Sequence, residues 1–167
     1  MIFIDEVTFS MKTFKPYAWS HTAQSVTQTT LLGSQPCQAV VGAASVNQGL
    51  ITWHVNPISF NAEGIRDFLT DLRECIGHGR RTIMLDNASI HRSKATVDHA
   101  QTLDFHIIWN VPYHPEFKGI EYVWAIVKTK FRAIQTQRMM GTKECSFTDA
   151  IWESMSGVTD TEVKRCI

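Results

Sequence analysis

RTIMLDNASIHRS, residues 81–93, opens with a short apolar run that ends in an acid. That is the pattern of a buried strand, Arg81 to Asp86, whose carboxyl end opens into a site. Ser93 then starts a helix running to about Thr102, and Phe105 to Trp109 is a second apolar run of strand length. Upstream, Asn61 caps a helix whose apolar positions Ile65, Phe68, Leu69, Leu72 and Ile76 follow helical spacing, with Gly77 and Gly79 at its end. The middle of the chain therefore alternates strand and helix, and this helix is expected to cover one sheet face.

Further out, residues 1 to 9 read as a strand with Ile2 and Ile4 on one side and Phe3, Asp5 and Val7 on the other. Gln38 to Val46 and Gly49 to Val55 are β-prone runs separated by Asn47-Gln48, an antiparallel hairpin. Between them, residues 20–36 carry no charged side chain and many Ser, Thr and Gln, which predicts a long loop or a weak hairpin. Downstream of Pro112-Tyr113-His114-Pro115, a helix is predicted from about Gly119 to Ile134, and a last amphipathic helix over 147–156. The order β-β-β-α-β-α-β-α describes an α/β domain, a mixed sheet flanked by helices. No internal repeat is visible.

The 167 residues are the length of one ordinary domain, and 44% hydrophobic with 19% charged side chains is a globular composition. No apolar run reaches the ~18 residues of a membrane span, and acids interrupt the apolar N-terminus, so neither a signal peptide nor an anchor is expected. Sixteen basic and sixteen acidic residues cancel, so any polyanion site must be local. Two stretches qualify: Arg80, Arg81, Arg92 and Lys94 around Asp86, and Lys118, Lys128, Lys130 and Arg132 around Glu116 and Glu121. Cys37, Cys75, Cys145 and Cys166 are widely spaced, as reduced thiols rather than a disulfide framework.

At 100° per residue, Ile120, Val123, Val127, Phe131 and Ile134 form one apolar stripe on the predicted helix, the stripe that faces the sheet. Lys128 and Arg132 return to within about 20° of Glu121 on another face, and Trp124 lies between the two. Trp19 and Trp124 read as packing residues rather than base-stacking platforms.

Three acids thus occupy comparable places: Asp5 on the first strand, Asp86 at a later strand end, and Glu121 on a helix beside the sheet. Carboxylates gathered at a strand end suit a hard divalent cation. A pair of such ions would activate a water on one side of a phosphodiester and stabilise the leaving oxygen on the other. Each acid alone is equally well read as a solvated element end.

The surrounding words sharpen the reading. Asp5-Glu6 on an apolar strand, Asp86-Asn87-Ala88-Ser89-Ile90-His91, and Pro112 to Trp124 followed by Lys128 resemble the catalytic domain of DDE transposases, in the mariner-like branch with its bacterial insertion-sequence relatives. The 34 residues from 87 to 120 that separate Asp86 from Glu121 match that group's spacing. The resemblance spans residues 1–135, which makes 136–167 a C-terminal helical extension of the same domain. It implies a ribonuclease-H-like fold and a Mg2+- or Mn2+-dependent nuclease, holding two ions, that cuts transposon ends and joins the freed 3′ hydroxyl to target DNA. By the same resemblance Asp5, Asp86 and Glu121 are the catalytic, metal-binding acids. Asn87 and His91 organise the site or approach DNA. Lys128 and Arg132, on the helix face shared with Glu121, are read as phosphate-binding. Glu6 follows Asp5 in the family pattern, but strand alternation turns it to the opposite face. A homodimer on DNA and residence with the DNA, nuclear in a eukaryote and cytoplasmic in a bacterium, follow from the same comparison.

Two departures matter. Lys118-Gly119 stands where many relatives have Asn-Pro, losing a proline that would rigidify the helix start. The chain also begins four residues before Asp5, whereas relatives carry helix-turn-helix modules first, so it is expected to nick DNA weakly and choose ends poorly. Two rivals stay open: a domesticated or degenerate remnant that binds nucleic acid or assembles without catalysis, and a ribonuclease acting on RNA–DNA hybrids.

Overall fold

Side-chain alternation on the first strand sets up the layers. In β1 (Ile2–Phe9), Ile2 and Ile4 enter one apolar cluster and Phe3, Val7 and Phe9 the other, on opposite faces of the sheet. The structure, a computed structural model, describes residues 1–10, 37–111 and 119–167. Trp19, the loop expected over 20–36 and the segment Pro112–Lys118 lie outside the described residues.

Five strands form one sheet in the order β3-β2-β1-β4-β5, where β2 is Gln38–Ser45, β3 Gly49–Asn56, β4 Arg81–Leu85 and β5 Phe105–Trp109. β1, β2 and β3 pair antiparallel, and β4 and β5 join parallel on the other side of β1. Sheet direction therefore changes at β1, beside the strand that leads to Asp86.

One face of the sheet carries α1 (Ala62–Ile76) and α3 (Lys94–Thr102). Ile65, Phe68, Leu69 and Leu72 of α1 have no solvent exposure and pack with Ile4, Val41, Ile83 and Leu85. Each such burial is worth about 1.5–3 kcal/mol relative to exposure. The Asn61 side chain accepts from the Gly64 N–H at 2.8 Å, satisfying one of the helix's orphan donors. The other face carries α4 (Gly119–Met139), whose stripe Ile120, Val123, Val127, Phe131 and Ile134 is buried with Phe3, Val7 and Phe9 as its spacing predicts. Against α4 pack α5 (Phe147–Ser156) and α6 (Asp160–Cys166), which place Ile151, Met155 and Val163 in the same cluster.

Two helices go beyond the four predicted ones: α6, and the single turn α2 (Ser89–Arg92). Both α5 and α6 open with a capping box, Ser146 with Asp149 and Thr159 with Glu162, in which each side chain accepts the other residue's backbone N–H. Gly119, at the start of α4, has a packing reason. A Cβ on Gly119 would fall 2.8 Å from Ile167 Cγ1 and 3.0 Å from Ile167 Cα, so the bare backbone admits the α6 end beside Glu121.

Candidate active site

The β1–β4 ladder sets up the site. Its parallel pairs are Ile2–Ile83 and Phe3–Met84, and no further pairs follow. Carrying that register two residues on sets Asp86, the first residue past β4, level with Asp5. The two strands thus part at their acids, at the point where the sheet changes direction, a position from which open α/β sheets commonly present ligand sites.

Asp5 lies on the α4 face and is 9% exposed. Its Oδ2 accepts a hydrogen bond from the Trp124 indole Nε1–H at 3.2 Å. Trp124 is buried in the core, as expected of a packing residue, but its donor reaches a site carboxylate, a role that helical spacing alone did not reveal. The only advance signal was its place between the apolar stripe and the charged face.

Asp86 is held from the other face. Its Oδ1 accepts from the Ala88 backbone N–H at 2.9 Å and lies 2.7 Å from His91 Nδ1, while His91 Nε2 lies 3.0 Å from Glu6 Oε1. The His91 ring has no solvent exposure and ties the start of α2 to β1 through two carboxylates. Burial, the largest influence on this ring, disfavours its charged form. The hydrogen bond and charge of Glu6, joined by those of Asp86, outweigh it and raise the imidazole above its ordinary 6.5. The charged ring's contribution to stability is therefore present below that ordinary value and is lost as pH rises through the raised one. Of the two roles expected of His91, an enclosed ring with both nitrogens engaged favours organising the acids over approaching DNA. Glu6 does point away from Asp5, as alternation requires, and its partner is His91.

Glu121 is exposed in the first turn of α4. It shares with Asp5, Trp124 and Lys128 the lining of an open cleft of about 360 Å³. The predicted face of acid and lysine is thus present beside Asp5. Arg132, one turn further on, is half-buried and does not line this cleft. The Asn87 amide donates to the Asn110 carbonyl at 2.7 Å, binding the end of β4 to the end of β5. A second hollow, about 450 Å³ along β5 and lined in part by Arg80, Asp104, His106 and Trp109, shares no residue with the acidic cleft.

The expected meeting of three acids is realised only in part. Asp5 and Glu121 share a cleft and Asp86 ends the neighbouring strand, but among the described residues no three acids, histidines or cysteines converge as a ready-made metal cluster. Oδ1 of Asp86 is drawn to His91, towards the Glu6 side of the sheet. The donor chemistry nevertheless fits a hard divalent cation, since all three acids offer carboxylate oxygen. Among the described residues no helix is long and apolar enough to cross a membrane.

Known proteins with this architecture carry the comparison further. The structure matches the Mos1 transposase paired-end complex with left transposon end at a TM-score of 0.70 and 16% identity, over 99% of this chain and 50% of that one. The catalytic domain of Mos1 mariner transposase matches at 0.65 and 14%, over 99% of this chain and 74% of that one. The intasome of simian T-cell lymphotropic virus in complex with the PP2A regulatory subunit B56 gamma matches at 0.66 and 12%, over 92% and 46%. Mos1 catalytic domains with Raltegravir and Mg or Mn are also among the matches. Such identities establish the fold, a ribonuclease-H-like mixed sheet flanked by helices, and the chain spans about half the length of the first two structures it matches. Among curated proteins, none matches the sequence. A family model described as DDE superfamily endonuclease matches residues 1–141, most of the sequence and the whole of the site, and the chain belongs to that family.

Proposed function

We propose that this chain is the catalytic domain of a transposase, cleaving phosphodiester bonds of transposon DNA and transferring the freed 3′ end to target DNA. One observation supports this above the others: acids 116 residues apart in sequence, Asp5 and Glu121, line a single cleft with Lys128, in a chain of the DDE endonuclease family.

On this reading Asp5, Asp86 and Glu121 hold Mg2+ or Mn2+, two ions in the working complex. When bound, the metal supplies an activated water or 3′ hydroxyl and stabilises the leaving oxygen. The chain's own groups position the acids and the substrate. Trp124 orients Asp5, His91 anchors Asp86, and Lys128 meets the phosphate backbone at the mouth of the cleft. Arg132 and Asn87 extend the contact to DNA beyond the cleft. The substrate needs paired ends, which favours a homodimer on DNA, located in the nucleus of a eukaryote or the cytoplasm of a bacterium. Residues 1–135 form the catalytic core and 136–167 extend the same domain, consistent with the shared packing of α4, α5 and α6.

A non-catalytic reading, a remnant that binds nucleic acid or assembles, gains support from the incomplete convergence of acids among the described residues. Plasmid nicking measured across a titration of Mg2+ or Mn2+, for the parent and for Asp86→Ala, separates the two. Cleavage that needs both the metal and Asp86 supports the nuclease; no acid-dependent cleavage at any metal level supports the remnant. An RNA–DNA hybrid cut faster than DNA would assign the chemistry to a hybrid-specific ribonuclease instead.

A further inference from the structure

Resting on the reading of Asp5 as a metal ligand, we infer that Trp124 and Gly42 form a positioning device for it: Gly42 makes room for the indole whose N–H aims the Asp5 carboxylate into the cleft. Gly42 sits on β2 directly opposite Asp5 in the antiparallel register. A Cβ on Gly42 would fall 2.5 Å from Trp124 Cη2 and 3.3 Å from Cζ2, far inside van der Waals contact. A bare backbone at this one strand position therefore lets the indole lie across β2 and reach Asp5 Oδ2 at 3.2 Å.

The chemistry has one direction. An indole N–H only donates, so it fixes one carboxylate oxygen without competing for a cation, and a buried indole N–H requires an acceptor. Trp124 is 4% exposed and belongs to the core cluster that anchors α4, so its ring is held by packing. It follows Glu121 by three residues on the same helix, and both line the cleft with Asp5. A single rigid element thus carries one acid and sets the orientation of another. Partners of this kind, one step removed from a metal, typically change metal affinity 10- to 100-fold when removed.

The test measures Mn2+ affinity by calorimetry on the whole chain, beside thermal unfolding of each variant. Trp124→Phe keeps an aromatic ring and removes the donor. Site-specific replacement of Trp124 by benzothienylalanine keeps the full ring shape and removes only the N–H. Both are expected to weaken Mn2+ about 10-fold, the second with a fall in melting temperature no larger than the loss of one hydrogen bond, since the packing of the ring is kept. Gly42→Ala is expected to weaken Mn2+ similarly by displacing the indole, and to have little further effect on Mn2+ in the Trp124→Phe background, where the shorter ring leaves room. Asp5→Asn serves as the reference. If it weakens Mn2+ while the benzothienylalanine variant binds like the parent, the positioning inference is wrong and the site reading stands. If Asp5→Asn itself leaves Mn2+ binding unchanged, the site reading is wrong.

Discussion

Replacing His91 by Phe probes the clamp on Asp86. The ring lies 2.7 Å from Asp86 and 3.0 Å from Glu6 and is fully enclosed, so the substitution keeps an aromatic body and removes both polar contacts at once. Hydrogen bonds to charged groups contribute about 1.5–3 kcal/mol each. The Asp86 and Glu6 side chains are 36% and 23% exposed, so water recovers part of the loss and the lower figure applies to each. The expected destabilisation is about 3 kcal/mol, or roughly 6–12 °C in melting temperature for a domain of this size. Urea unfolding followed by circular dichroism, with the denaturant slope unchanged, gives the free energy directly. The clamp also predicts coupling: Glu6→Gln should cost less in the His91→Phe background than alone, by about 0.5 kcal/mol or more. A His91→Phe loss below about 0.5 kcal/mol, the level of ordinary surface substitutions, would mean that His91 does not clamp Asp86 to Glu6.

Other predictions concern packing, charge and pH. Phe131, 1% exposed, meets Phe9 and Phe147 edge-on with ring centroids at 5.0 and 5.4 Å, so Phe131→Ala should lose about 3–5 kcal/mol in the same unfolding assay. Lys128→Ala should weaken DNA binding in fluorescence anisotropy and lower the slope of log affinity against log salt by about 0.9 for one lost phosphate contact; parallel lines for the two proteins would remove Lys128 from the DNA surface. Glu162 is held below the ordinary carboxylate value of 4.5 chiefly by the Thr159 backbone N–H, then by Lys130, whose Nζ lies 3.0 Å away. Its charge therefore contributes stability above 4.5 that is lost as pH falls through the lowered value. Glu162→Gln should melt below the parent at neutral pH and converge with it in acid; a gap that persists unchanged in acid would contradict this.

Much of this arrangement was legible in the sequence because the signals were periodic. The stripe on α4 and the five apolar positions of α1 follow helical spacing, and both sets are buried where that spacing puts them. Alternation on β1 separates Asp5 from Glu6 correctly for the same reason. What escaped was set by tertiary contact. Nothing local to His91 indicates that Glu6, 85 residues away, would engage its second nitrogen. Nor does Trp124 disclose in sequence that its donor would find Asp5, since the register of Gly42 against Asp5 exists only once β1 and β2 pair. α6 was missed because it is seven residues long, too short for periodicity to register, although Thr159 and Glu162 stand at capping-box spacing.

Whether Asp5, Asp86 and Glu121 jointly hold a divalent cation can be observed directly. Crystals grown with Mn2+ and measured at the manganese absorption edge locate the ion without reference to activity. An anomalous peak is expected at the parting of β1 and β4, with oxygens of Asp5 and Asp86 in its coordination shell and Glu121 turned towards it. Manganese bound elsewhere, or none at that position at saturating concentration, would contradict it.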